Sequence, residues 1–253
     1  MDSSQILAII KNPGEAPTLG WLPSSRDEVA TQWETPVREQ LLNDPRLLVL
    51  WRESEEFGGD INLTLPAEVR GPVAIVASEP GPRYGSVPRE QVYRWIQWAM
   101  LAGASTDADS VTYYGITEGP GYDRVYVERV DHARRATRAP LTHHVRHSAT
   151  GFSWGFAGKG PTELARCLLA DFLHLAAPFL EIESIYEAFK QDVIAQLPQD
   201  LGGWRIHGYE VLGWLREHPP TPVCNVHEVQ RRPEDGVCAE CASDRNPMLA
   251  LNQ

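Results

Sequence analysis

The chain has 253 residues, of which 42% are hydrophobic, and a formal net charge of −11. This length and composition are those of a globular protein with one large domain or two modest ones, and they exclude a disordered chain. The negative charge argues against a protein that coats nucleic acid through bulk electrostatic attraction.

The N-terminal residues lack the basic and apolar regions of a secretory signal, and no stretch is as long and apolar as a membrane helix. Three of the four cysteines lie close together near the C-terminus, which fits a reducing compartment better than a set of disulfides. We therefore expect a cytoplasmic protein with no membrane partner.

Residues 1–110 predict short strands and two helices. Apolar spacing within residues 24–43 predicts the first helix, and Pro88 begins a second that runs to about Ala102. Compact apolar runs predict strands at residues 46–51, 61–65 and 73–77. Because the pattern does not give the strand order, we interpret this part as an α/β region of unknown type.

Residues 111–218 predict a domain in which a hairpin precedes several helices. Strands at 111–116 and 124–130 are joined by the turn residues Glu118-Gly119-Pro120-Gly121. Helices are predicted from Pro161 to about Leu175, over 183–197 and over 209–217. The whole chain is expected to be α+β, with small mixed sheets and packed helices, and to end in a zinc knuckle or ribbon within residues 219–253.

The tail carries four metal-ligand residues at knuckle spacing. A Cys-x2-His pair is followed, after ten residues, by a Cys-x2-Cys pair. Two such pairs supply the four nitrogen and sulfur donors of a closed structural zinc site, with no position left for a catalytic water. The predicted ligands are Cys224, His227, Cys238 and Cys241. The alternative is four unrelated residues. Nearby arginines are balanced by acidic residues, which favours a protein contact or simple structural closure over nucleic-acid binding.

A second feature is the stretch from His132 to Thr162, which contains no acidic residue. Its cationic side chains are candidates for contacts with an anion or with nucleic acid. They are Arg134, Arg135, Arg138, Arg146 and Lys159. The alternative is a basic surface that contacts only solvent. The same stretch contains His143, His144 and His147, but no Cys, Asp or Glu lies nearby in sequence to complete a metal site with them.

Residues 151–163 form a glycine-rich segment that leads into a predicted helix. Unpaired N–H groups and the positive end of the helix dipole make such a start a physical anion site, to which Lys159 adds a charge. The segment is not a nucleotide-binding P-loop, because Gly160 stands where that motif requires Ser or Thr. The alternative, which we favour, is a strand-to-helix turn whose glycines let Trp154 and Phe156 pack closely.

An ordered set of signals between residues 113 and 215 resembles a known family. The signals are Tyr114-Gly115, then His147-Ser148-x-Thr150-Gly151-Phe152-x-Trp154-Gly155-Phe156, then Gly158-x-Gly160-Pro161, and then Leu197-Pro198 before Trp204. The family is the bacterial and phage family of unknown function number 6166. The resemblance supplies no catalytic residues to carry over, so it leaves open whether the protein is an enzyme. Because members occur on phages, plasmids and chromosomes, it implies the biology of mobile DNA elements.

Three functions follow as hypotheses. The first is a non-catalytic interaction or accessory protein of a phage, a plasmid or a defence-related system, which docks onto a protein or nucleoprotein complex. The second is a nucleic-acid-binding module that uses residues 132–162 and the zinc tail. The third is a metal-dependent enzyme with an unrecognised site, for which the acidic candidates are Glu53, Glu55 and Asp107.

Overall fold

The computed structural model describes residues 5–12, 15–42, 44–52, 61–64, 68–70, 72–117, 123–131, 133–199, 203–224 and 229–231. The chain divides into two compact units. Residues 1–103 and 221–253 make up the first, called the N-terminal unit, and residues 104–220 make up the second, called the central unit.

The N-terminal unit contains an antiparallel sheet and two helices. Its elements up to residue 103 are β1 (Gln5–Lys11), β2 (Thr18–Pro23), α1 (Arg26–Gln32), β3 (Val37–Leu41), β4 (Leu47–Arg52), β5 (Ile61–Thr64), β6 (Glu68–Arg70), β7 (Val73–Ser78), β8 (Tyr84–Gly85) and α2 (Arg89–Asp107). The last four residues of α2 belong to the central unit. The sheet order is β2-β1-β7-β4-β3, with β8 paired to β7, while β5 and β6 form a separate pair.

The central strands of this sheet are apolar on both faces. Leu48 and Leu50 of β4 pack into a cluster that includes Val29 of α1, whereas Val49 between them packs with Trp98 of α2. Because side chains alternate along a strand, a strand covered on both faces is a continuous apolar run. The apolar runs at 46–51 and 73–77 have this origin, and the two strands predicted from them are confirmed.

The helix predicted within residues 24–43 is shorter than its apolar spacing indicates. Helix α1 ends at Gln32, and the chain continues as strand β3. Glu34 has a left-handed backbone with a φ of 57°, and Pro36 stands two residues later. A left-handed residue ends the helical path and proline cannot continue it, so the later apolar positions belong to a strand.

The central unit contains a four-stranded antiparallel sheet and three helices. Its elements are β9 (Val111–Thr117), β10 (Asp123–Val130), β11 (Ala136–Pro140), α3 (Lys159–Phe172), α4 (Tyr186–Asp192), β12 (Trp204–His207) and α5 (Gly208–Glu217), with 3-10 turns at Leu180–Ile182 and Ile194–Gln196. The sheet order is β11-β10-β9-β12. The predicted hairpin of β9 and β10 is confirmed.

One face of the central sheet is buried. Val111, Tyr113, Val125 and Val127 lie on it and are each at most 4% exposed. The hydroxyl of Tyr113 donates a hydrogen bond of 2.7 Å to Asp171 of helix α3, and this places α3 on that side of the sheet. The face provides the core against which the functional segments of this unit are held.

The predicted α+β class is confirmed, but the prediction of mixed sheets is wrong for the strands that the structure describes. All their pairings are antiparallel. Five residues separate β9 from β10, and five separate β10 from β11. A connection as short as this joins antiparallel strands, because parallel neighbours need a much longer crossover. Among the described helices, none is long and apolar enough to cross a membrane.

Candidate functional site

Residues 141–158 connect β11 to α3 and are called the β11–α3 loop. The carboxylate of Glu163, on the first turns of α3, lies under this loop and is fully buried. It accepts the main-chain N–H of Arg146 at 2.7 Å and that of His147 at 2.8 Å, and it also contacts Nε2 of His143 at 3.2 Å. Charge-assisted hydrogen bonds to main-chain donors fix the backbone of the loop on the helix.

Arg166 holds the loop from one helical turn further along α3. Its guanidinium donates to the main-chain oxygens of His144 at 3.2 Å and Pro178 at 3.1 Å, and it lies 4.6 Å from the ring centre of Phe179. The side chain is buried as part of a residue only 5% exposed. One arginine therefore joins the β11–α3 loop to the segment that follows α3.

Cys167 is the third residue of α3, after Glu163 and Arg166, that contacts the loop. Its sulfur accepts the main-chain N–H of His144 at 3.5 Å. Burial raises the pKa of the Cys167 thiol to about 11, so at neutral pH the group is the protonated thiol and not a thiolate nucleophile. Glu163, Arg166 and Cys167 lie on one helix face because residues at spacings of three and four share a face.

Aromatic contacts anchor the other end of the loop. Trp154 is 3% exposed, donates its indole N–H to the main-chain oxygen of Pro198 at 2.9 Å, and packs edge-on against Trp204 at 5.5 Å. Gly155 has a φ of 79° and donates its N–H to Ile194 at 3.0 Å. The Trp-Gly pair of the resemblance motif thus makes a buried anchor whose turn requires glycine.

A polar cleft of about 450 Å³ lies where the loop meets the start of α3. Its lining includes Ser148, Thr150, Ser153 and Lys159, together with Asp123 from β10. A side chain at Gly160 would collide with Ser153, so glycine at this position permits the close approach of loop and helix. The favoured interpretation of the sequence holds only in part. Gly158 does lie against the ring of Phe156, but Gly160 admits Ser153, and residues 151–158 form no strand.

Three of the five predicted anion contacts have acidic partners. Arg135 pairs with Asp131 at 2.7 Å and Arg138 with Glu128 at 2.8 Å, while Arg146 pairs with Glu183. These acidic residues lie outside the acid-free stretch in sequence, but in the folded chain they lie beside its arginines. Arg134 and Lys159 are both exposed. Anion binding by this set stays a prediction.

Of the four predicted zinc ligands, Cys224 alone lies in the part of the chain that the structure describes. It is 1% exposed and ends the two-residue strand β13 (Val223–Cys224), which pairs with β14 (Val229–Gln230). His227, Cys238 and Cys241 lie outside the described residues, as do Glu53 and Glu55. Within the described residues, no three His, Cys, Asp or Glu side chains are grouped to hold a metal.

A larger cleft of about 630 Å³ lies in the N-terminal unit. It is lined by polar side chains that include Ser24, Glu79, Arg83 and Glu90. None of the candidate metal ligands or anion contacts lines this cleft. We assign it no function, because a large volume is not by itself evidence of a binding site.

Glu163 and Arg166 are residues of the site that the sequence analysis did not single out. Both lie in helix α3, in which positions 161–170 are all buried. A charged pair at a spacing of three within such a helix signals buried polar anchors, because charges are buried only when they have partners.

Residues 121–217 match the model of the family of unknown function DUF6166. The resemblance seen in the sequence is confirmed. The match includes the β11–α3 loop and helix α3, and therefore every anchor described above. No curated protein and no solved structure matches the chain.

Proposed function

We propose that this protein is a non-catalytic interaction protein, an accessory component of a mobile element or defence-related system. It docks onto a protein or nucleoprotein complex through the β11–α3 loop. The observation that carries the proposal is a loop without regular secondary structure that buried side chains of α3 hold in place. Such loops on a rigid scaffold are where proteins most often place binding residues.

The loop presents large apolar side chains to solvent. Val145 is 63% exposed and Phe156 is 47% exposed. Val145 precedes the two residues whose N–H groups bind Glu163, so its backbone is fixed although its side chain is open. A preorganised loop loses little conformational entropy on binding, which increases the affinity available from each contact.

The chemistry of the anchors supports binding over catalysis. The carboxylate of Glu163 accepts two main-chain N–H groups and contacts the ring of His143, and the thiol of Cys167 is held protonated at neutral pH. A general base or nucleophile must reach a substrate in its reactive protonation state. The Glu163 carboxylate and the Cys167 thiol instead form hydrogen bonds with main-chain N–H groups of the loop.

The link to mobile elements rests on the resemblance of residues 113–215 to a family found on phages and plasmids. The zinc site at Cys224, His227, Cys238 and Cys241 belongs to the same proposal. Four filled ligand positions would close the tail around structural zinc without supplying a catalytic site.

The test is affinity capture of the full chain from its native host, with and without nuclease digestion. Val145→Asp introduces a charge at the exposed loop position, and Leu41→Asp is the matched control at a strand position that is 53% exposed. We expect a protein partner that survives nuclease, is retained by the Leu41 variant and is lost with the Val145 variant. Equal capture by both variants would remove the loop from the interface.

A further inference from the structure

The central sheet has a second face, opposite to the one that α3 covers. The alternation of β9 and β10 places Thr112, Tyr114, Ile116, Arg124, Tyr126, Glu128 and Val130 on it. Each of these residues is half-buried or exposed, whereas Val111, Tyr113, Gly115, Val125 and Val127 on the other face are buried. This is called the outer face.

The strand register aligns four residues across the outer face. Arg205 of β12 is opposite Tyr114 of β9, Tyr114 is opposite Tyr126 of β10, and Tyr126 is opposite Pro140 of β11. Directly opposite residues in an antiparallel pair have Cβ atoms about 5 Å apart. Two tyrosines therefore lie side by side on the two central strands, with an arginine at one end of the row.

The outer face is positive although the chain is strongly negative. Among the described residues of this face, three are arginines, Arg124, Arg138 and Arg205, and one is acidic, Glu128. All three arginines are exposed, and Arg138 pairs with Glu128 at 2.8 Å. Arg205 has no acidic partner among the residues that the structure describes. The guanidinium of Arg138 lies 4.5 Å from the ring centre of Tyr114, so this ring already accepts a planar group on its face.

We infer that the outer face binds single-stranded nucleic acid, with bases stacked on Tyr114 and Tyr126 and phosphates paired with the surrounding arginines. Aromatic side chains on an open sheet, next to cationic groups, are the elements from which single-strand binding surfaces are built. The proposal goes beyond docking through the β11–α3 loop, because it assigns another surface of the unit and another class of ligand.

The composition of the face favours a nucleic-acid strand over a protein. Its large aliphatic side chains are limited to Ile116 and Val130, which are 38% and 39% exposed. Planar rings and guanidinium groups make up the rest of its large side chains, and these recognise bases and phosphates. A duplex would hide its bases from the tyrosines, so unpaired bases are required.

The experiment is fluorescence anisotropy of the full chain with a labelled twelve-nucleotide oligothymidine, repeated with an oligouridine and with a duplex of the same length. We expect both single strands to bind at low salt and the duplex to bind more weakly. Because Arg138 is paired with Glu128, we expect about two phosphate contacts, and the logarithm of the binding constant then falls with the logarithm of salt with a slope of about −1.4.

Matched variants separate stacking from general charge. Tyr126→Ala is expected to weaken binding on the order of tenfold, while Tyr126→Phe keeps the ring and stays close to wild type. Arg205→Ala is expected to weaken binding and to lower the salt slope, whereas Arg216→Ala, at an exposed position of α5, leaves both unchanged. Circular dichroism verifies that each variant is folded.

Three results would overturn the inference. They are no binding of either single strand at low salt, duplex binding as tight as single-strand binding, and equal affinities for Tyr126→Ala and wild type. Val145→Asp, which tests the proposed protein docking, should bind the oligonucleotides normally, so failure of one proposal is distinguishable from failure of the other.

Discussion

Glu163 and His147 are joined by a hydrogen bond of 2.8 Å in which a fully buried carboxylate of α3 accepts a main-chain N–H of the β11–α3 loop. The same carboxylate accepts the preceding N–H, that of Arg146. The irregular path of the loop at these residues therefore depends on the Glu163 side chain. Val145 comes directly before them, so its exposed position also depends on Glu163.

Glu163→Gln should destabilise the central unit. One carboxylate oxygen becomes an NH2 group that faces a main-chain donor, so one charge-assisted hydrogen bond is lost and the other is weakened. Hydrogen bonds to charged groups contribute about 1.5–3 kcal/mol each, and we expect a loss of about 2–3 kcal/mol in the free energy of unfolding. Urea denaturation measures it, with Glu217→Gln at an exposed position of α5 as control. Equal stability of the two variants would contradict the anchoring role.

Gly160→Ala should destabilise the same unit for a steric reason. The new methyl group would meet the Ser153 side chain and would lie 3.1 Å from the Ser153 main-chain nitrogen. Overpacking of this kind costs about 1–3 kcal/mol. Thermal melting of the two single variants and of the double variant with Ser153→Gly forms a double-mutant cycle. We expect the cost of Gly160→Ala to shrink when Ser153 is glycine, and an unchanged cost would show that the two residues do not meet.

Cys167 should be unreactive in the folded protein. Burial raises its pKa to about 11 from the ordinary thiol value of about 9, so the folded chain binds the proton more tightly than the unfolded chain. The resulting stability is fully present below about pH 9 and is lost as the pH rises toward 11. Alkylation at pH 8, followed by peptide mapping, should label Cys167 slowly in the native protein and readily in urea. Rapid native labelling would contradict the buried thiol.

The predicted zinc site is tested by metal analysis of the purified protein. One four-ligand site implies about one zinc per chain. Cys238→Ser should release the metal and leave the melting transition of residues 113–215 in place, because the ligands lie in the tail. A metal-free wild-type protein, or a Cys238→Ser variant with full zinc content, would refute the site.

Much of the fold could be predicted from periodicity. The hairpin of β9 and β10 could be predicted from two alternating segments on either side of a Gly-Pro-Gly sequence, and helix α3 from one long apolar pattern. Helix α1 could not be bounded this way, because Val37 and Leu41 fit a helical spacing and a strand equally well. The left-handed backbone of Glu34 decides between the two.

The candidate site was harder to predict because its contacts join distant residues. Residues 132–162 contain no acidic residue in sequence, but Glu128 and Glu183 from outside this range form ion pairs with its arginines in the folded chain. The row of Arg205, Tyr114 and Tyr126 depends on β12 returning to pair with β9, which no local pattern records. Only tertiary pairing reveals both arrangements.

The central claim is that the β11–α3 loop is a docking surface, and site-specific photocrosslinking tests it most directly. A photoreactive amino acid replaces Val145, and the control replaces Leu41, which is similarly exposed in the N-terminal unit. In the native host, we expect a discrete protein adduct at position 145 that survives nuclease, is absent at position 41 and is reduced when Glu163→Gln is added. No adduct at position 145, or the same adducts at both positions, would contradict the claim.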